Sequence, residues 1–178
     1  MKQIICFACM VTFLFSCNTK NPVSTTVEPD KSKDTLSYAY KATYSSDVTV
    51  PAHPEYGQMV LTVWKMFANK QIDSLKKYYA DTVTYNNADG FYFHGSSNDL
   101  LNYARKDVEG LDSLRFDISM WQSLHINDKN EDWVYIWAAE RSYKKDGKAD
   151  TSLIHEQWKV ENGKVSYFNQ YKAKPAKK

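Results

Sequence analysis

Cysteine is scarce in this chain and confined to its N-terminal end: Cys6, Cys9 and Cys17 are the three present. A domain built from the remainder has no thiol for a disulfide, a nucleophile or a Cys-ligated zinc or iron–sulfur site. Net charge is also small, +2 over 178 residues, with no dense basic stripe. Nucleic acid is thereby excluded as a partner. Metal-ligand spacing is missing as well. His53, His94, His125 and His155 form no HExxH and no histidine–carboxylate cluster, so no metal is expected, nor any other cofactor. The sequence holds no G-x-S-x-G, no phosphate-cradling glycine loop and no dinucleotide fingerprint, which disfavours nucleophilic hydrolases and nucleotide enzymes.

A long hydrophobic run is also lacking. The stretch from Ile4 to Phe15 falls short of the roughly 20 apolar residues that a membrane-spanning helix needs. With Lys2 before it and Leu14-Phe15-Ser16-Cys17 closing it, the stretch reads as a targeting segment. The closing tetrapeptide resembles a bacterial lipobox, although Phe15 departs from the usual small residue. The resemblance implies a signal peptide over residues 1–16, a lipid on Cys17, and attachment in the cell envelope at the outer membrane. Residues 17–54 shift to Thr, Ser, Pro, Lys and Asp and read as a flexible tether. Tyr38, Tyr40 and Tyr44 are more aromatic than a spacer needs and are available to dock on the domain.

Apolar and aromatic residues are abundant, at 43% and 15%, enough for one domain with a real core. Residues 55–172 carry its pattern, and 173–178 form a basic tail. Met59, Val60, Val63, Trp64, Met66 and Phe67 recur at helical spacing. Ile72, Leu75, Tyr78 and Tyr79 suggest a second, short helix before an extended stretch from Thr82 to Asn86. After a turn at residues 86–90 and a short extended piece from Phe91 to His94, Ser96 or Ser97 caps a third helix running to about Lys106. From Leu114 to Ile126 apolar residues alternate as in a half-buried strand.

Residues from Trp133 to Tyr171 form three aromatic-rich runs punctuated by Asp146-Gly147 and Asn162-Gly163, the pattern of a three-stranded antiparallel meander. Read as two-residue turns, these dipeptides pair Ala139 with Ile154, Trp137 with Glu156, Tyr135 with Trp158, Val160 with Val165, Trp158 with Tyr167, Glu156 with Asn169, and Ile154 with Tyr171. One face would then hold Trp133, Tyr135, Trp137, Ala139, Ile154, Glu156, Trp158, Val160, Val165, Tyr167, Asn169 and Tyr171. On that face Trp137, Glu156 and Asn169 form a polar row in an aromatic wall. Trp121, Glu140 and Gln157 would face the other way.

The element order, with Tyr79-Ala80-Asp81-x-Val83-x-Tyr85 and the closing stretch Trp158 to Val165, resembles the nuclear transport factor 2-like superfamily, closest to its SnoaL-like and ketosteroid-isomerase-like branches. The resemblance implies an α+β cone, a strongly curved antiparallel sheet wrapped around about three helices, with an apolar interior that hosts a small ligand. In the ketosteroid isomerase pattern the base carboxylate matches Asn87 or Asn86, and the oxyanion tyrosine matches Val63 or Trp64. Neither position supplies the required group. Only the second carboxylate finds an acid, at Glu156.

The candidate ligand-binding residues are therefore Trp137, Glu156, Asn169, Trp158, Tyr135, Tyr85, His94 and Tyr167, with Glu156 and His94 the candidates for catalysis. Glu156 reads either as a pocket carboxylate with a raised pKa or as a structurally paired acid. His94 and Asp89 stand by the cone mouth, or are ordinary loop residues. The expected function is an exported, lipid-anchored domain binding a small apolar or amphipathic molecule without catalysis. The alternatives are an isomerase, dehydratase or cyclase using Glu156 and His94, and a structural module with a filled cone. A homodimer through the outer sheet face is the expected assembly.

Overall fold

The computed structural model describes residues 42–50 and 53–176. The expected signal peptide, Cys17 and the tether up to residue 41 lie outside these residues. Chain order is β1 (Val48–Thr49), α1 (Glu55–Ala68), a 3-10 helix (Ile72–Tyr78), β2 (Tyr79–Asn86), β3 (Tyr92–Ser96), α2 (Ser97–Glu109), β4 (Leu111–Ile126), β5 (Glu131–Lys144), β6 (Ala149–Glu161) and β7 (Lys164–Ala173). The strands form one curved, unclosed sheet in the order β1-β4-β5-β6-β7-β2-β3, with β2 parallel to β7.

The helices cover one face of this sheet because their apolar stripes have nowhere else to go. From α1 come Val60, Val63 and Trp64, from the 3-10 helix Ile72 and Leu75, and from α2 Leu100, Leu101 and Val108. They meet Val83, Val134, Ile136, Ala138, Ile154, Trp158, Val160, Val165 and Phe168 from the strands. Helix α2 starts where expected: Ser96 Oγ accepts from the Asp99 N–H and donates to the Asp99 carboxylate, satisfying a first-turn donor. Part of the expected tether is docked. Val48 and Thr49 pair with Ile126 and His125, and Tyr44 donates to Glu131 and sets its ring edge-on to Trp133.

The meander exists, but its register differs from the one counted from the turns. In the first hairpin Tyr143 pairs with Ala149, so Val134 lies opposite Trp158, Ile136 opposite Glu156, and Trp137 opposite His155. The loop has three residues rather than two: the Gly147 N–H bonds to Lys144 O, Lys144 and Lys148 close the pair, and Gly147 alone takes positive φ, at 83°. This is the three-residue loop with a bulge that a Gly in the left-handed region also permits. A one-residue slip sends every β5 side chain to the other face. Val134, Ile136, Ala138 and Glu140 point inward, whereas Trp133, Tyr135 and Trp137 point outward.

The second turn is as expected at its tip, where Asn162 and Gly163 both take positive φ and Val160 pairs with Val165. Ser166 then bulges, because Lys159 pairs with Tyr167 and Trp158 with Phe168. Phe168 and Gln170 consequently face inward beside Trp158 and Glu156, and Tyr167, Asn169 and Tyr171 face outward. A further irregularity between Ile118 and Met120 splits the apolar row of β4. Leu114 and Phe116 stay with the helices, Met120 joins Trp137 on the outer face, and Trp121 comes beside Gly57 of α1. Trp121 is exposed, at 54%, but on the helix side rather than on the outer face expected for it.

Candidate functional site

A cavity of about 280 Å³ lies between the helices and the inner face of the sheet. Glu156 forms its floor and is only 6% exposed. The carboxylate accepts from Gln170 Nε2 and from Trp158 Nε1, each at 2.8 Å. Burial pushes its pKa from the ordinary carboxylate range up to about 7, even though these two donors and Trp64 favour the ionised form. Above it runs a stack of rings. Trp158 and Phe168 lie 4.4 Å apart at 9°, and Phe168 and Tyr85 lie 4.2 Å apart at 19°. Trp64 and Phe116 pack at 4.5 Å with their planes tilted by 48° on the α1 side. Tyr79, buried beside the stack, and Tyr85 both have hydroxyls pushed upward in pKa, first by burial and then by the negative charge of Glu156.

The mouth is formed by solvent-exposed Phe91, Tyr103 and Asp107 together with Asn87. Asn87 Oδ1 accepts from the backbone N–H groups of Asp89 and Phe91, so its oxygen is committed to holding the turn. All the positions matched to the ketosteroid isomerase pattern except Asn86, namely Val63, Trp64, Asn87 and Glu156, line this one cavity. Asn86 faces outward and donates to the Tyr167 hydroxyl.

Of the eight candidate residues, the cavity gathers Glu156, Trp158 and Tyr85. His94, Tyr135, Tyr167 and Asn169 line a groove on the opposite face, and Trp137 stacks there on His155 at 4.5 Å and 6°. The His94 ring nitrogen pairs with Thr84 Oγ1 at 2.8 Å. Glu156 and His94 are thus separated by the sheet and share no ligand. The amide beside Glu156 is Gln170 instead of Asn169.

Asp107 and Glu140, absent from the candidates, also line the cavity. Glu140 was expected to face outward, but the register slip turns it inward, where Lys172 Nζ meets it at 2.9 Å. Asp107 was detectable in principle. With Leu100, Tyr103 and Ala104 it falls at the three- and four-residue spacing of one helix face, a carboxylate interrupting an apolar stripe.

No protein-family model and no curated protein matches this chain. Among solved structures, an epoxide hydrolase of the LEH-like type from M. tuberculosis aligns at TM-score 0.56 and 13% identity, over 67% of this chain and 83% of the other. A putative SnoaL-like polyketide cyclase from Shewanella denitrificans aligns at TM-score 0.56 and 13% identity, over 67% and 91%. A protein of ketosteroid isomerase-like fold from Catenulispora acidiphila, in complex with trimethylamine, aligns at 0.52 and 14%, over 69% and 86%. At such identities the likeness is one of fold, and the fold here is the nuclear transport factor 2-like α+β cone.

Proposed function

We propose that this chain is an exported, lipid-anchored domain that binds a small amphipathic molecule in its cone. The carrying observation is the cavity of about 280 Å³, walled mostly by aliphatic and aromatic side chains and ending on the buried carboxyl of Glu156. Concave, mostly apolar sites with a few convergent polar groups are where small ligands bind. A cone packed solid by its own aromatic residues has no such space. The carboxyl floor orients a ligand: near neutral pH it exists in both protonation states, donating in one and accepting in the other. Catalysis by Glu156 together with His94 has no shared site to act in. For export and anchoring the support is Lys2, the apolar run and Cys17.

One preparation tests both parts. The full-length wild type and the Cys17→Ser, Ala104→Trp and Glu156→Gln variants are expressed, membranes and soluble fractions are separated, and small molecules co-purifying with each chain are measured by mass spectrometry. Ala104 lines the cavity, so an indole there fills it. The expected outcome is a ligand present with wild type, reduced at least tenfold in the Ala104→Trp variant and diminished in the Glu156→Gln variant. The Cys17→Ser variant is expected to leave the membrane fraction. A ligand retained equally by the Ala104→Trp variant sinks the pocket, and a membrane-bound Cys17→Ser chain sinks the anchor.

A further inference from the structure

Three carboxyl groups line the cavity at different depths: Asp107 of α2 at its mouth, Glu140 of β5, and Glu156 of β6 at its floor. Among the described residues no lysine, arginine or histidine lines it. Their compensation is incomplete. Glu140 has Lys172, Glu156 has only the neutral donors Gln170 and Trp158, and Asp107 takes part in no ion pair among the described residues. Their charges add: Glu140 pushes up the pKa of both Asp107 and Glu156, after burial, and all three acids push up that of Tyr85. The remaining walls present aromatic faces from Trp64, Tyr85, Trp158 and Phe168, whose quadrupoles are negative at the ring face. An anionic ligand meets repulsion at every depth. A neutral apolar ligand must leave the carboxyls desolvated and unpaired, which is unfavourable. An ammonium group gains from the rings and the acids together.

Resting on the pocket reading above, we propose that the ligand is an organic cation, an ammonium-bearing molecule with an apolar body, held between Asp107 and Glu156 and boxed by the surrounding rings. Negative charge at the mouth draws the cation in, and the floor acid completes its countercharge. Because the protonated floor acid must give its proton to solvent as the cation arrives, binding at neutral pH releases protons and strengthens as pH rises. The charged and titratable groups around Glu156 are Glu140, the hydroxyls of Tyr79 and Tyr85, and Lys172, whose charge is balanced by Glu140 at 2.9 Å.

The test is calorimetric titration of the purified full-length chain with benzyltrimethylammonium, its neutral carbon isostere neopentylbenzene, and phenylacetate. The cation is expected to bind at least about tenfold more tightly than the isostere, with phenylacetate weakest. Its heat should vary with the buffer's ionisation enthalpy, reporting proton release. Asp107→Asn is expected to weaken cation binding about tenfold without weakening isostere binding. It should not disturb folding, because Asp107 is exposed and takes part in no ion pair among the described residues. Ala104→Trp should abolish cation binding. Isostere or phenylacetate binding as tight as the cation's overturns the proposal and leaves the pocket reading intact; cation binding that survives Ala104→Trp overturns the proposal by placing the cation outside this cavity. If none of the probes binds, the cation proposal falls, and the co-purification experiment decides the pocket separately.

Discussion

At the scale of single residues, Glu156 decides most. Its pKa lies near 7 in the folded chain against an ordinary 4.5. Between those values the folded state keeps a proton that the unfolded chain has released, so stability declines as pH rises through that window and levels off above it. The full difference is about 3 kcal/mol. His155, held low by burial, acts in the opposite sense: it takes up a proton on unfolding below about 6.5, and stability is lost as pH falls. Comparing wild type with Glu156→Gln removes that common background. Urea unfolding at pH 5 and pH 8 is expected to show the variant gaining on wild type by about 2.5 kcal/mol at the higher pH, since part of the difference is already lost at pH 5. Identical pH profiles would mean that Glu156 is not buried as an acid.

At the scale of elements, the helices, the Ser96 cap and both turn positions were legible because each rests on local chemistry. The register was not, and the reason is physical. Asp146-Gly147 fits a two-residue turn and a three-residue loop equally well, since both need one glycine in the left-handed region. Hydrophobic patterning normally arbitrates, but both faces of β5 are apolar: Val134, Ile136 and Ala138 on one, Trp133, Tyr135 and Trp137 on the other. The aliphatic set won the interior, and the aromatic set stayed outside. The bulge at Ser166 carried the same error into β7, giving Asn169 the role that Gln170 holds. Glu156 survived because β6 kept its inward row of Ile154, Trp158 and Val160 under either register. At Gly147, where φ is 83° and open space surrounds the Cα, Gly147→Ala is expected to cost about 1 kcal/mol through backbone strain alone. Chemical denaturation checks this. A loss near zero would mean that Gly147 does not hold positive φ, against either turn.

At the scale of the whole molecule, the two faces of the sheet carry matching ladders of rings. Inside, Tyr85, Phe168 and Trp158 stack beneath the helices. Outside, Trp137, His155 and Tyr171 stack with no element of the described residues over them, at centroid separations of 4.5 and 5.8 Å. Met120, Leu153 and Tyr171 are half exposed on that side. His155 Nε2, buried without a partner among the described residues, also belongs to it, and buried polar groups ordinarily find partners. A second copy across a two-fold axis would cover this face, because a symmetric interface brings the same patch to itself and must not repel itself. Charge permits that here: Lys159 is paired with Glu131 and Glu161, each at 2.8 Å. The expected state is therefore a homodimer, observable by sedimentation equilibrium at tens of micromolar. Trp137→Asp would set like charges against each other across the axis and weaken the dimer by at least about a hundredfold. The fold should persist, because Trp137 contributes nothing to the interior. Monomeric wild type under those conditions would refute the dimer. Dissociation accompanied by loss of the folded signal would instead show that the outer ladder supports the domain itself.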